Sequence, residues 1–324
     1  MTSQQPAPAA GVETIAGPTV VAVVVTYNRE KLLHEALTAV LGQDRLPDHV
    51  IVVNNASTDG TTDLVRTTFA SVRLVELARN TGGAGGFALG LERALQLGAD
   101  LVWLLDDDAV PEPGALGALL YARTRYRGRA VPAAIASRVV WLDGREHRMN
   151  IPRRRRGASH AEHAAARAVG CTPIRTASFV SLLIDADAAR ATKPPLADYF
   201  LWNDDFEYTA RLLRDRLGLL CPASLVVHKT ASFYNSGSDP GRRFFYDVRN
   251  MIWMLGRSRG LSPLERAFFT VVAARRFVRT IYRSRHRRVL VAGLARGAFA
   301  AVRAGPRPTA QVLSDVRPSG GDHS

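Results

Sequence analysis

From residue 20 onward the chain alternates short β-branched runs with polar turns and longer stretches of helical periodicity. Runs at 20–26, 50–53, 72–77 and 101–105 are followed in turn by helical stretches at 29–42, 61–69, 84–97 and 113–126. Four strand–helix units in succession predict an α/β domain with a doubly wound, mostly parallel central sheet covered by helices on both faces. Ligands of such sheets bind beyond the carboxyl ends of the strands, so the residues just after each run are where chemistry is expected. Past residue 135 the periodicity weakens, and 138–175, with arginines at 153–156 and an Ala/His-rich piece, reads as a mobile excursion. Apolar character returns at 179–184, 199–202 and 225–227, which are expected to extend the same sheet. After Asp239-Pro240-Gly241 come a helical segment at 242–255 and another opened by Ser262-Pro263, a good N-cap and first-turn pair. The resulting organisation is a disordered leader at 1–18, the α/β domain at 19–240, basic amphipathic helices at 241–305 and a disordered tail at 306–324.

Composition narrows the class of partner. The chain has 324 residues, enough for one large domain with an appended segment, and 43 basic against 29 acidic residues give it a net charge of +14. Such a balance points to polyanions: phosphates, anionic lipid or nucleic acid. Arginine supplies nearly all of it, since lysine occurs only at Lys31, Lys193 and Lys229. Two cysteines, Cys171 and Cys221, are too few for a disulfide framework and are expected to be buried free thiols, as suits a reducing cytoplasm. No basic-then-apolar leader and no apolar run of membrane-spanning length is present, so the expectation is a cytoplasmic protein that neither is exported nor crosses a membrane.

The four strand ends read Thr26-Tyr27-Asn28-Arg29, Asn54-Asn55-Ala56-Ser57-Thr58-Asp59, Arg79-Asn80-Thr81-Gly82-Gly83 and Asp106-Asp107-Asp108. Each alone is compatible with a simple turn; their convergence on one sheet edge favours a site. Three carboxylates at one strand end repel one another, and a divalent cation offsets this best. Hard oxygen ligands select Mg²⁺ or Mn²⁺, with Asp106 and Asp108 placed to share one ion. A second acidic cluster, Trp202-Asn203-Asp204-Asp205-Phe206-Glu207, opens an apparent helix, where it either suits the helix dipole or supplies a general base. His228 follows another apolar run and could complete the coordination sphere, whereas His160 and His163 lack acidic neighbours beyond Glu162. A rival reading comes from Gly83, Gly85 and Ala88, which fit a dinucleotide-binding fingerprint with Asp106 about 20 residues on, as in a Rossmann-type NAD-dependent oxidoreductase. Against it, two strand–helix units precede the glycines, and three aspartates exceed what a ribose contact needs.

On these residues the sequence resembles the family-2 glycosyltransferases, whose GT-A fold carries a similar first turn, a similar Asn/Asp-rich second turn and an Asp-x-Asp metal site. Arg79 to Gly86, Leu104-Leu105-Asp106-Asp107-Asp108, and Arg243-Phe244-Phe245-Tyr246 with Arg249-Asn250 are similar, more narrowly, to actinobacterial galactofuranosyltransferases and rhamnosyltransferases. The resemblance implies that Thr26, Asn28, Arg29, Asn54, Arg79, Asn80 and Asp107 line the sugar-nucleotide pocket. It likewise implies that Asp106, Asp108 and His228 hold the metal, that Asp205 is the base, and that Trp202 and Asp204 face the acceptor, with Asp204 the second candidate for the base. Asn54 stands where many relatives have an aspartate that contacts the nucleobase, so UDP- and dTDP-sugars both stay open. The implied reaction is inverting transfer of galactofuranose or rhamnose to a polyprenyl-linked cell-envelope glycan.

Between 242 and 307 sixteen arginines meet only Asp247 and Glu265 in the way of acidic residues. Arg276, Arg279 and Arg283 fall on one helix side, away from Val271, Ala274, Val278 and Ile281, so this segment is expected either to pack on the core or to lie on an anionic membrane surface at the cytoplasmic face. No nucleic-acid-binding pattern accompanies the charge. A catalytically inactive membrane-associated scaffold is the remaining alternative.

Overall fold

The computed structural model describes residues 17–230, 239–314 and 316. Nearly all of the expected leader, and the end of the expected tail, lie outside these residues. The first half follows the predicted alternation: β1 (Val20–Thr26), α1 (Glu30–Leu41), β2 (His49–Asn54), α2 (Thr61–Thr68), β3 (Arg73–Glu76), α3 (Gly82–Gln96), β4 (Leu101–Asp106), β5 (Ala109–Pro111) and α4 (Ala115–Arg125). Every residue of β1 is buried. Val21, Val23 and Val25 enter one core with Ile51, Val53, Val102 and Leu104, while Val20, Ala22 and Val24 enter another with Val50, Val52, Trp103 and Leu105. A strand covered on both faces needs apolar residues at both parities, which is why these runs read as unbroken.

The second half contains β6 (Ala134–Val140), β7 (Arg153–Arg154), α5 (His160–Ala168), β8 (Thr172–Thr176), β9 (Ser181–Asp185), α6 (Ala186–Arg190), α7 (Asp204–Leu212) and β10 (Gly218–His228). Among the described residues ten strands form one sheet of order β3-β2-β1-β4-β9-β6-β10-β8-β7, with β5 against the far end of β10. The block β3-β2-β1-β4 is parallel as expected. Beyond it the sheet is mixed, because β9 lies antiparallel between β4 and β6. A buried apolar strand reads the same in either direction, so the sequence pattern carries no sign of this reversal. A line of buried polar side chains crosses the junction: the Trp103 indole donates to Ser181 Oγ at 2.9 Å, and Ser181, Ser137 and Ser224 follow at 2.7 Å steps.

Three expectations are corrected. Residues 138–175 are ordered; their elements are too short to register a period, though α5 carries a capping box from Ser159 and Glu162. Residues 199–202 are no strand, but the end of a 3-10 turn (Ala197–Tyr199) and a tight bend with positive φ at Phe200 and Trp202. The tail is not disordered throughout, since α11 (Thr309–Ser314), which follows α8 (Phe244–Arg257), α9 (Pro263–Arg283) and α10 (Arg287–Arg303), buries Val312 and Leu313 in the sheet's core. Helices α8 to α10 enclose a third core of Phe244, Val248, Met254, Phe269, Phe277 and Leu290. The Ser262-Pro263 start of α9 is as expected, with Glu265 closing a capping box. Arg276 of α9 pairs with Asp247 of α8 at 2.7 Å. Cys171 and Cys221 are buried free thiols.

The glycine run has a packing explanation: a Cβ on Gly90 would meet Val23 Cγ1 at 2.3 Å, and one on Gly86 would meet Val25 Cγ1 at 2.4 Å, so bare backbone lets α3 settle on β1. Gly82 is more constrained, with φ +72° and the Phe200 carbonyl oxygen 1.9 Å from where its Cβ would stand. Backbone strain and overpacking add there, so Gly82→Ala is expected to destabilise by roughly 2–5 kcal/mol, read as a lower midpoint in urea unfolding.

Candidate active site at the strand ends

Asp106 is the last residue of β4, level with Val25 of β1, and Asp107 and Asp108 form the turn into β5. The short β5 then pairs antiparallel with β10, setting Ala109 opposite His228, and the Lys229 amide donates to the Asp108 carbonyl at 2.8 Å. That pairing delivers His228 from the far part of the chain to the aspartates. Its Nε2 lies 2.9 Å from Asp108 Oδ1, and one ligand atom each from Asp106, Asp108 and His228 fall within 4.8 Å of one another. His228 Nδ1 faces Asn150 Oδ1 at 3.0 Å, an arrangement that leaves Nε2 toward the carboxylates. Two carboxylates and one imidazole are a donor set that fits a Mg²⁺- or Mn²⁺-class ion.

The charges bear out the crowding. Burial, then the neighbouring Asp108, push the Asp106 carboxyl up to about 7. Burial also lifts Asp107 to about 7 against the attraction of Arg29, whose Nη1 is 3.6 Å from Asp107 Oδ1. Asp108 goes the other way: burial opposes its charge, but its bonds to His228 and Arg29 hold it below the usual carboxylate range. Burial likewise opposes a charged His228, and Asp108 outweighs it and raises the imidazole.

The second acidic cluster faces the first. Asp204 and Asp205 open α7, Asp204 buried and Asp205 half-buried; the charge of Asp205 acts on Asp106, and that of Asp106 on Asp204. Burial carries Asp205 only to about 6, because the Phe206 amide donates to it at 2.6 Å. Asp204 is held well above the carboxylate range by burial and then by Asp205. Trp202 and Asn203 precede them with φ of 67° and 65°.

The other predicted residues gather around this edge with differing engagements. Thr26 is buried at the end of β1, and Tyr27 donates its amide to Asp107 Oδ2 at 3.3 Å. Asn28, at φ 52°, accepts the Thr58 amide at 2.7 Å. Asn54 is almost wholly buried, accepting from the Ser57 amide and donating to Thr62 Oγ1, both at 2.9 Å. Asn80 accepts the Gly82 amide at 2.7 Å, whereas the Arg79 guanidinium reaches the Val312 carbonyl of α11 at 3.3 Å. Sequence reasoning missed Asn150, which fell in the supposed mobile excursion, and Asn55, which ties the Thr81 hydroxyl at 2.9 Å and the Gly82 carbonyl at 3.2 Å to the end of β2. An Asn-Asn pair at a strand end was the available signal for the latter. A cavity of about 540 Å³ lined by Tyr126, Arg155, Glu162, Asp185 and Arg216 lies at the opposite edge of the sheet and contains none of these groups.

A parallel half-sheet ending in an Asp-x-Asp turn, with a histidine and a second acidic pair across from it, defines a GT-A glycosyltransferase. The chain belongs to glycosyltransferase family 2: the family model, "Glycosyl transferase family 2", matches residues 21–183. It is 36% identical over 265 residues to galactofuranosyltransferase GlfT1 of Mycolicibacterium smegmatis, covering 76% of this chain and 86% of that one. GlfT1 of Mycobacterium tuberculosis is 33% identical over 266 residues, with 74% and 82% covered. Among solved structures, Staphylococcus aureus TarS 1-349 in complex with UDP-GlcNAc shares the fold with TM-score 0.57 and 15% identity, over 92% of this chain and 84% of that one. The mannosyltransferase PcManGT of Pyrobaculum calidifontis, in complex with GDP-Man and Mn²⁺, gives TM-score 0.54 and 18% identity, over 93% and 79%. Membership in this family sets aside the oxidoreductase alternative.

If Asn150 orients His228, Asn150→Ala should weaken Mn²⁺ binding by roughly 10–100-fold in calorimetry, and Asp108→Asn should weaken it at least as much.

Proposed function

We propose that the protein transfers galactofuranose, or alternatively rhamnose, from a nucleotide donor to a hydroxyl of a polyprenyl-linked cell-envelope glycan, with inversion at the transferred carbon. One observation carries this reading: the Asp106-Asp108-His228 cluster and the Asp204-Asp205 pair are close enough for their charges to act on each other. The names of the two mycobacterial relatives favour galactofuranose.

Asp106, Asp108 and His228 would hold Mg²⁺ or Mn²⁺, which when bound neutralises the departing diphosphate. Thr26, Asn28, Arg29, Asn54, Arg79, Asn80 and Asp107 surround the donor, a UDP- or dTDP-sugar. Trp202 and Asp204 face the acceptor. Asp205 takes the proton of the attacking hydroxyl as oxygen–carbon bond formation expels the nucleotide. The environment divides the labour within the acidic pair: Asp204 is kept protonated, and Asp205 is the member that ionises near neutral pH.

The acceptor's lipid anchor gives the basic helices a role. On α9, Leu264, Phe268, Val271, Val278 and Tyr282 fall on one helix face, at spacings of four, three, seven and four residues, and are exposed, Leu264 by 84% and Tyr282 by 73%. Arg275 interrupts this stripe, Arg279 and Arg283 flank it, and the opposite face fills the third core. The stripe is suited to an anionic membrane at its cytoplasmic face. Among the described residues no helix is long and apolar enough to cross the membrane.

Asp205→Asn is expected to lower kcat by ~10²–10⁴-fold while UDP affinity in the presence of Mn²⁺ stays within a few-fold; near wild-type turnover excludes Asp205 as the base. Because the ionised carboxylate is the working form and its pKa is about 6, kcat/KM should rise with pH through an acid limb at or below that value, a bound dication drawing it lower. The protein should sediment with phosphatidylglycerol vesicles at low salt and not with phosphatidylcholine vesicles, and Val278→Glu should abolish this without changing kcat on a soluble acceptor analogue.

A further inference from the structure

The bend that delivers Asp204 and Asp205 is held in a conformation its own residues disfavour. Phe200 has φ 62° and ψ −60°, and the Leu201 amide donates to the Tyr199 carbonyl at 2.6 Å, closing a γ-turn of the rare positive-φ kind. Trp202 and Asn203 are left-handed as well, and none of the three is glycine. Such a bend persists only where its surroundings over-determine it.

Those surroundings come largely from α8. The Asn250 side chain, fully buried, donates to the carbonyls of Tyr199 at 2.8 Å, Leu201 at 2.9 Å and Trp202 at 2.9 Å, while its oxygen accepts from Arg249 Nε at 3.1 Å. All of its polar atoms are used, so its amide has one orientation. Arg249 adds donors to the Asp198 carbonyl at 2.6 Å and the Tyr199 carbonyl at 3.2 Å, and lies 4.3 Å above the Trp253 ring. Asp247 accepts from Asn203 at 3.1 Å, and Tyr246 stacks on Phe200 with centroids 5.0 Å apart. From the other side the Ala84 amide donates to the Phe200 carbonyl at 3.3 Å, across the bare Cα of Gly82.

We infer that Asn250, backed by Arg249, is a positioning residue that clamps the 199–203 bend and thereby fixes where α7 begins and Asp205 stands. The inference rests on the reading of Asp205 as the base. An aspartate could not substitute for Asn250, because its carboxylate would face three carbonyl oxygens with nothing to donate.

The test measures kcat, acceptor KM, UDP affinity with Mn²⁺ and melting temperature for Asn250→Asp, Asn250→Ala and Met254→Ala. Met254 lies on the same helix, in the third core. Both Asn250 variants should lose kcat by ~10–100-fold with UDP affinity within about threefold. Met254→Ala should lower the melting temperature comparably and keep kcat within about threefold. Should the Asn250 variants not fold, Asn203→Ala, which severs the bend from Asp247, should still lower kcat several-fold. Wild-type kcat in every folded variant of Asn250 or Asn203 overturns the inference, as does an equal loss in Met254→Ala. Asp205→Asn run in parallel separates the two ideas: an active Asp205→Asn removes the base assignment, whereas an inactive one beside fully active clamp variants removes only the clamp.

Discussion

Asp106, Asp107 and Asp108 stand together at the mouth of a buried strand, where lost hydration and mutual repulsion both oppose their ionisation. The structure meets this locally with unlike partners. Arg29 and His228 hold Asp108 charged, while burial keeps Asp106 and Asp107 raised to about 7. A carboxylate array compensated on one side only is poised for added positive charge, which distinguishes it from an ordinary solvated acidic turn. The sheet serves this arrangement: β1 and β4 end level, and β5 turns back on β10 to bring the imidazole within reach.

The helices after residue 240 complete the architecture. They build a core of their own and, through α8, grip the bend between the 3-10 turn and α7. The matched family region ends at residue 183, so Asp106 and Asp108 lie inside it, whereas His228 and the acidic pair lie outside. The bend meets the glycine turn through the Ala84 amide and Phe200 carbonyl, and α8 through the Asn250 side chain, so one bend adjoins both the expected donor side and the expected acceptor side.

The first half of the fold was legible because each strand there is a run of β-branched residues and each helix is long enough to show its period. The aspartate turn and His228 could be paired from residue types alone, since both follow apolar runs. What escaped was whatever depended on polarity or on short elements. The reversal of β9 leaves no mark in a buried apolar strand, and β7 and β8 are too brief to alternate visibly. Asn150 vanished into that stretch. Asn250 was noticed within a motif, but its three carbonyl acceptors are assembled by tertiary contact and have no trace in spacing.

The β5–β10 pairing has a consequence for the order of events during synthesis. Asp106 and Asp108 emerge early, on a strand whose parallel neighbours precede it, whereas their histidine partner rides on the last strand to be made. Until that strand docks, the nascent domain carries an acidic turn without the imidazole that keeps Asp108 charged in the folded chain. The three side chains therefore come together only once β10 has been made and paired with β5, with α8 to α11 still to follow in the chain.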